Sequence, residues 1–239
     1  MAIVNRGSLP KVDMFAELFI EYDSYVKVYF VPEETERNLK DDLAKVSSLD
    51  ERMKILEELV SLYRYANKFD DAIKILGDNI VNKKNYNHWN AHLLFKQGQV
   101  LEGKYDFDKA IEYYNSSIQL KIENAWLNYF QYNNIGFCYN FKMKFEEADY
   151  ACREAIKINP DFYNAWKNLG VSLEHQGRYL DAAKCYLTAI NLNMENHRAA
   201  MHLKRMISRQ PRLRENLDLM KDYIFKKLNG GLSQLPVAK

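Results

Sequence analysis

His88 and His92 stand four residues apart, which places two imidazoles on one helical face, where they could share a metal ion. The segment reads His88-Trp89-Asn90-Ala91-His92. It lacks the glutamate of an HExxH helix, and no carboxylate or cysteine is placed to complete a site. Both therefore read as core or surface histidines. Cys138, Cys152 and Cys185 are odd in number and form no CxxC pair, so neither a disulfide framework nor a zinc site follows. At helical spacing no histidine stands beside Cys138 or Cys152 to activate a thiolate, and these two read as small hydrophobes; the three together fit a reduced compartment. A serine elbow, a phosphate loop and a dinucleotide glycine pattern are all missing. The residue types thus predict a non-enzymatic chain with no catalytic residue, metal or cofactor.

What remains is a chain built to position surfaces. Its 239 residues carry only 9 glycines and 5 prolines, too few turn-formers for a barrel or a doubly wound nucleotide fold. The composition, 47% hydrophobic and 28% charged, fits a folded chain of long helices with short connections. Met14 to Phe30 is broken by Glu17, Glu21, Asp23 and Lys27, so it has neither the form of a signal peptide nor the length of a membrane helix. The expectation is a cytoplasmic protein with no membrane contact.

A repeat organises these helices. At a spacing of 34, Gly136, Tyr139, Phe145, Ala148, Ala155 and Ile156 fall on Gly170, Leu173, Tyr179, Ala182, Ala189 and Ile190. The glycines and alanines mark places where two helices cross too closely for a large side chain. The larger residues between them, at spacings of three, four and seven, share one helical face. Gly177 stands where the first helix of a pair stops, Asp181 favours the start of the second, and Pro160 closes the preceding unit. Upstream, Ala72, Ala110 and Ala148 are 38 residues apart. Four extra residues make about one helical turn, lying in longer helices or in longer connections; the sequence allows either.

These residues resemble tetratricopeptide repeats. The best match is Trp166, Leu169, Gly170, Leu173, Gly177, Tyr179, Ala182, Tyr186 and Ala189, departing at Met194 where proline is usual. Tyr132, Ile135, Gly136, Tyr139, Ala148, Cys152, Ala155 and Pro160 form the unit before it. A weaker unit has Gly98, Leu101, Ala110, Tyr114 and Ser117, and a further one has Leu56, Leu59, Tyr63, Phe69, Ala72 and Leu76 without the glycine. The resemblance implies an all-α fold, a right-handed α-solenoid of stacked antiparallel helix pairs with a capping helix at the C-terminus. The expected organisation is an N-terminal helical, aromatic cap over 1–50 and repeats over 53–86, 91–124, 129–162 and 163–196. Basic capping helices then cover 197–229, as 197–209 and 212–228, and a tail follows over 230–239.

By the same resemblance, the first helices line a curved inner face that takes an extended peptide or a partner's helix. Its residues would be Phe130, Asn133, Asn134, Phe137, Asn140 and Phe141 in one unit and Asn164, Lys167, Asn168, Val171, Glu174 and His175 in the next. Aromatic area beside free amides is a binding mixture; the alternative is that Phe137 and Phe141 only pack against neighbouring helices. One subclass of the family clamps a partner's C-terminal carboxylate. Asn168 matches its middle asparagine and Arg198 one of its lysines, while Asn133, Phe137 and His202 depart from it, so an unrelated peptide is the expected guest. The 38-residue spacing is similar, in repeat length alone, to bacterial receptors for signalling peptides.

Charge is separated along the chain. Residues 1–190 hold 24 basic against 28 acidic residues, and 191–239 hold 10 against 4. The stripe Arg198, Lys204, Arg205, Arg209, Arg212 and Arg214 lacks interleaved aromatics, which favours an acidic protein surface over nucleic acid. The N-terminal Phe15, Phe19, Tyr22, Tyr25 and Tyr29 exceed what a solvent-facing cap needs. They read as folded over the first unit or as pairing two copies in a homodimer. Residues 26–31 allow strand or helix, and Pro32-Glu33-Glu34 opens a helix with an acidic first turn.

Overall fold

The computed structural model describes residues 33–82, 86–193, 197–210 and 213, and no strand occurs among them. The aromatic segment 12–30, the choice for 26–31, the tail and the helix expected over 212–228, Leu213 apart, lie outside the described residues. The chain divides into two compact units, Met1–Asn79 and Ile80–Lys239.

The first unit contains α1 (Glu33–Lys45), α2 (Leu49–Tyr65) and α3 (Phe69–Gly77). Helix α1 starts where the acidic first turn predicts it, with Glu33, Glu34 and Glu36 facing its N-terminal dipole. Leu56, Leu59, Tyr63, Ala72 and Leu76 are buried, as the repeat pattern requires. Arg52 donates to the carbonyls of Leu43 and Val46 at 2.9 and 3.1 Å and to Asn79 Oδ1 at 2.6 Å, fastening the ends of α1 and α3 to α2.

Among its described residues the second unit stacks three helix pairs and a single helix: α4 (Asn87–Gly103) with α5 (Phe107–Gln119), α6 (Ala125–Phe141) with α7 (Phe145–Ile158), α8 (Tyr163–His175) with α9 (Tyr179–Leu192), then α10 (His197–Arg209). Each helix packs on the next. First helices also meet across units, α4 on α6, α6 on α8 and α8 on α10, which lays them side by side. The all-α reading as stacked helix pairs holds. The extra turn is in the first helices: α2, α4 and α6 have 17 residues each, α8 has 13.

Two local devices set this register. Every turn within a pair carries one residue in the left-handed region: Asn67, Tyr105, Met143 and Gly177, at φ 56°, 63°, 57° and 77°. The next amide N–H reaches back to the helix in each case, Lys68 to Tyr63, Asp106 to Leu101, Lys144 to Tyr139 and Arg178 to Leu173, all at 2.8–2.9 Å. These are Schellman closures, which satisfy the last carbonyls of the first helix. Only Gly177 does this without a Cβ penalty.

The second device is close approach. A Cβ on Gly98 would lie 2.5 Å from the ring of Tyr114, on Gly136 2.5 Å from the Cys152 sulfur, and on Gly170 2.6 Å from the ring of Tyr186. Each glycine precedes its partner by sixteen residues, so one crossing recurs in all three pairs. Caps are also shared between units. Phe162 precedes α8 without a side-chain cap. The Tyr129 hydroxyl of α6 instead accepts from the Ala165 amide at 3.0 Å and donates to the Phe162 carbonyl at 3.1 Å.

Candidate functional site

Helix α6 presents Trp126, Phe130, Asn133, Asn134, Phe137 and Phe141 at spacings of four, three or four, and seven, which is one helical face. Trp126 and Phe141, at its two ends, are 49% and 48% exposed. Phe130 and Phe137 are half-buried. Phe130 is held between Trp126 (ring centroids 4.7 Å apart) and Phe162 (5.7 Å). Phe141 stacks on Phe107 at 5.0 Å and meets Phe137 at 4.8 Å. Packing against neighbouring rings and partial exposure therefore coexist: neighbours fix these side chains and water still reaches them.

Between the aromatics the amides form a directed relay. Asn168 of α8 donates to Asn133 Oδ1 at 3.0 Å, Asn133 donates to Asn134 Oδ1 at 2.9 Å, and Asn134 donates to the Tyr114 hydroxyl at 3.2 Å. Tyr114 then donates to Glu102 at 2.7 Å. Every donor points the same way and the chain ends on a carboxylate, an order in which each bond polarises the next. Asn133 and Asn168 are buried. Burial first, and then the charge of Glu102, pushes the Tyr114 phenol well above its ordinary range, so it stays a donor. The same tyrosine–glutamate pair recurs as Tyr186 on Glu174, at 2.7 Å. In the middle pair Cys152 takes the tyrosine's place and Asn140 the glutamate's; Asn140 instead donates to the Asn168 carbonyl at 2.9 Å.

Positive charge gathers beyond α8. His202 stacks on Tyr186 at 5.5 Å and faces Arg205 at 3.0 Å through Nδ1, so its ring is neutral with the proton on Nε2. Burial, and then the charges of Arg205, Lys167, His175 and Arg198, hold its pKa down at about 4. His202 thus carries no charge; Arg205, one turn on, brings one to this place. His175 is exposed and stacks on Phe145 at 4.5 Å, Asn164 is half-buried on α8, and Val171 packs on the core around Leu173 and Tyr186.

Of the residues named from sequence, Asn133, Asn134 and Asn168 form one network; Phe130 joins one ring cluster and Phe137 and Phe141 another; Lys167, His175, Arg198 and His202 share the cationic end. Sequence reading did not place Trp126, Glu102 or Tyr114, the last named only as a repeat residue, in the site. Trp126 was legible as the residue four before Phe130 once the longer helix was assumed. The other two needed the helix contacts.

The three thiols are buried, and burial raises all of them, Cys185 to about 12. Among the described residues no group of three or more His, Cys, Asp and Glu could hold a metal ion, and no helix is long and apolar enough to cross a membrane.

Stacked pairs with shared crossing glycines define a helical-repeat protein. Tetratricopeptide repeat models match residues 91–121, 132–162 and 151–184, so this part of the chain carries tetratricopeptide repeats. It is similar to the BBSome complex member BBS4 homolog of Drosophila melanogaster, 32% identical over 106 residues, 44% of this chain and 21% of that protein. It is also similar to heat shock protein STI1 of Saccharomyces cerevisiae, 30% identical over 104 residues, 44% of this chain and 17% of that protein. The matched stretch thus spans about a fifth of these relatives. Among solved structures, a crystal structure of MamA aligns with TM-score 0.54 at 20% identity, over 71% of this chain and 92% of that one, a likeness of fold.

Proposed function

We propose that the second unit is a non-enzymatic interaction scaffold that takes an extended peptide or a partner's helix along its first helices. The supporting observation is the partly exposed aromatic face of α6, Trp126 to Phe141, beside the cationic end formed by Lys167, Arg198 and Arg205. Aromatic rings already held by neighbours give contact area at little entropic cost, and a cationic end selects orientation. The ligand this fits has apolar side chains toward one end and carboxylates toward the other. Asn133 and Asn168, spent on the relay, hold the face in shape. Direct contact falls to the rings, the cations and the outer edge of Asn134.

Peptide-display selection on the full chain tests this. The expected winners combine aromatic or aliphatic residues with acidic ones, and lose at least tenfold in affinity on Trp126→Ala or on Lys167→Glu with Arg198→Glu. Winners indifferent to both variants would overturn the assignment.

A further inference from the structure

On the other side of α6, away from the relay, Tyr132, Ile135 and Tyr139 floor a groove that Tyr150, Glu146 and Glu147 of α7 border. Asn115 of α5 closes it. Tyr150 is 66% exposed. Among the described residues the three hydroxyls make no hydrogen bond and the two carboxylates no ion pair. Asp108, Asp149, Glu154 and Asp181 of the surrounding helices, by contrast, are all paired with Lys or Arg.

The combination is not a by-product of the repeat. One unit later the three tyrosine positions hold Trp166, Leu173 and Lys184, and one unit earlier Leu94, Leu101 and Glu112. Among the described residues of these three units, the α5–α6–α7 junction alone joins three phenols to two unpaired acids. Such a groove suits an apolar knob flanked by cations, because phenol faces attract both a thioether and a guanidinium or ammonium group.

The chain carries that counterpart on α10. Met201, 50% exposed, lies on one outward face with Lys204, Arg205, Ser208 and Arg209, all exposed. The charge separation between 1–190 and 191–239 has the sign such an encounter needs. We propose that this face of α10 docks into the tyrosine groove of a second copy, Met201 between the phenols, with Lys204 and Arg209 on Glu146 and Glu147. The two surfaces differ, so the contact is heterologous and each copy keeps one surface free for the next.

Sedimentation velocity of the full chain over a concentration series at low salt tests it, using Glu146→Lys with Glu147→Lys, Lys204→Glu with Arg209→Glu, and Tyr150→Ala. The parent's average mass is expected to rise with concentration, without a fixed stoichiometry, and to fall when salt is added. Each variant should remain at single-chain mass, with unchanged helicity by circular dichroism. An equimolar mixture of the two charge-reversed variants should regain association, because their altered surfaces complement each other. A parent that stays single-chain throughout, association that survives both reversals, or a mixture that does not recover would each overturn the proposal. Arg205 stands between this face and the cationic end of the peptide site and is left unaltered in every variant, so peptide binding through Trp126, Lys167 and Arg198 is scored separately.

Discussion

Asn168 hands its side-chain amide to Asn133 at 3.0 Å, joining two first helices from successive pairs through a buried side-chain bond. Cutting it strands groups on both sides. Asn133→Ala leaves the Asn168 donor and the Asn134 acceptor without partners in a buried setting. The expected loss is about 2 kcal/mol, read from urea denaturation. Asn134→Ala, nearer the surface, should cost about half that, and a double-mutant cycle between Asn133 and Asn168 should show clear coupling.

The crossing glycines predict a graded series. Gly98→Ala and Gly170→Ala push a methyl into a buried tyrosine ring and should each cost about 1–3 kcal/mol. Gly136 faces the smaller Cys152. There Gly136→Ala combined with Cys152→Ala should recover much of what the single change loses. Thermal melts of the set provide the check.

Turn strain should run the other way. Met143 holds φ 57° and is 77% exposed, so its side chain contributes little and its backbone is strained. Met143→Gly is expected to stabilise by roughly 0.5–1 kcal/mol. Gly177→Ala, where nothing crowds the new methyl, should destabilise by about 1 kcal/mol through the backbone alone. Opposite signs at two equivalent turns, measured by denaturant midpoint, test the Schellman register.

His202 sets a pH dependence. Its folded pKa of about 4 lies below the unfolded value of 6.5. Above pH 6.5 both states are neutral and stability is at its full value. As the pH falls from 6.5 toward 4 the unfolded chain takes up a proton that the folded chain refuses, so stability declines. Below 4 both are protonated and the decline stops. At pH 5 the loss from this group is about 2 kcal/mol. His202→Gln should lack that component when the two proteins' urea midpoints are compared at pH 7 and pH 5.

Much of this architecture was legible in the chain. Repeating Gly, Ala and aromatic positions determined helix pairs, because a helix crossing tolerates only small residues and a buried face must recur at 3.6-residue spacing. The drift from 38 to 34 residues was visible too, as was the charge separation. Which helix held the extra turn was not, since a longer helix and a longer loop leave the same spacing between alanines. The helix starts decided it: α6 begins eleven residues before Gly136, whereas α8 begins seven before Gly170, so the added turn lies at the start of the first helix.

The inner-face asparagines show the same boundary more sharply. Sequence marked Asn133, Asn134 and Asn168 as amides sharing a region, and could not say whether they face a guest or one another. Tertiary structure decided that Asn133 and Asn168 bond to each other and lead on to Tyr114 and Glu102. A side-chain hydrogen bond depends on where two helices cross, to within a few tenths of an ångström, and that distance is set by the whole stack, beyond the reach of any local run of residues.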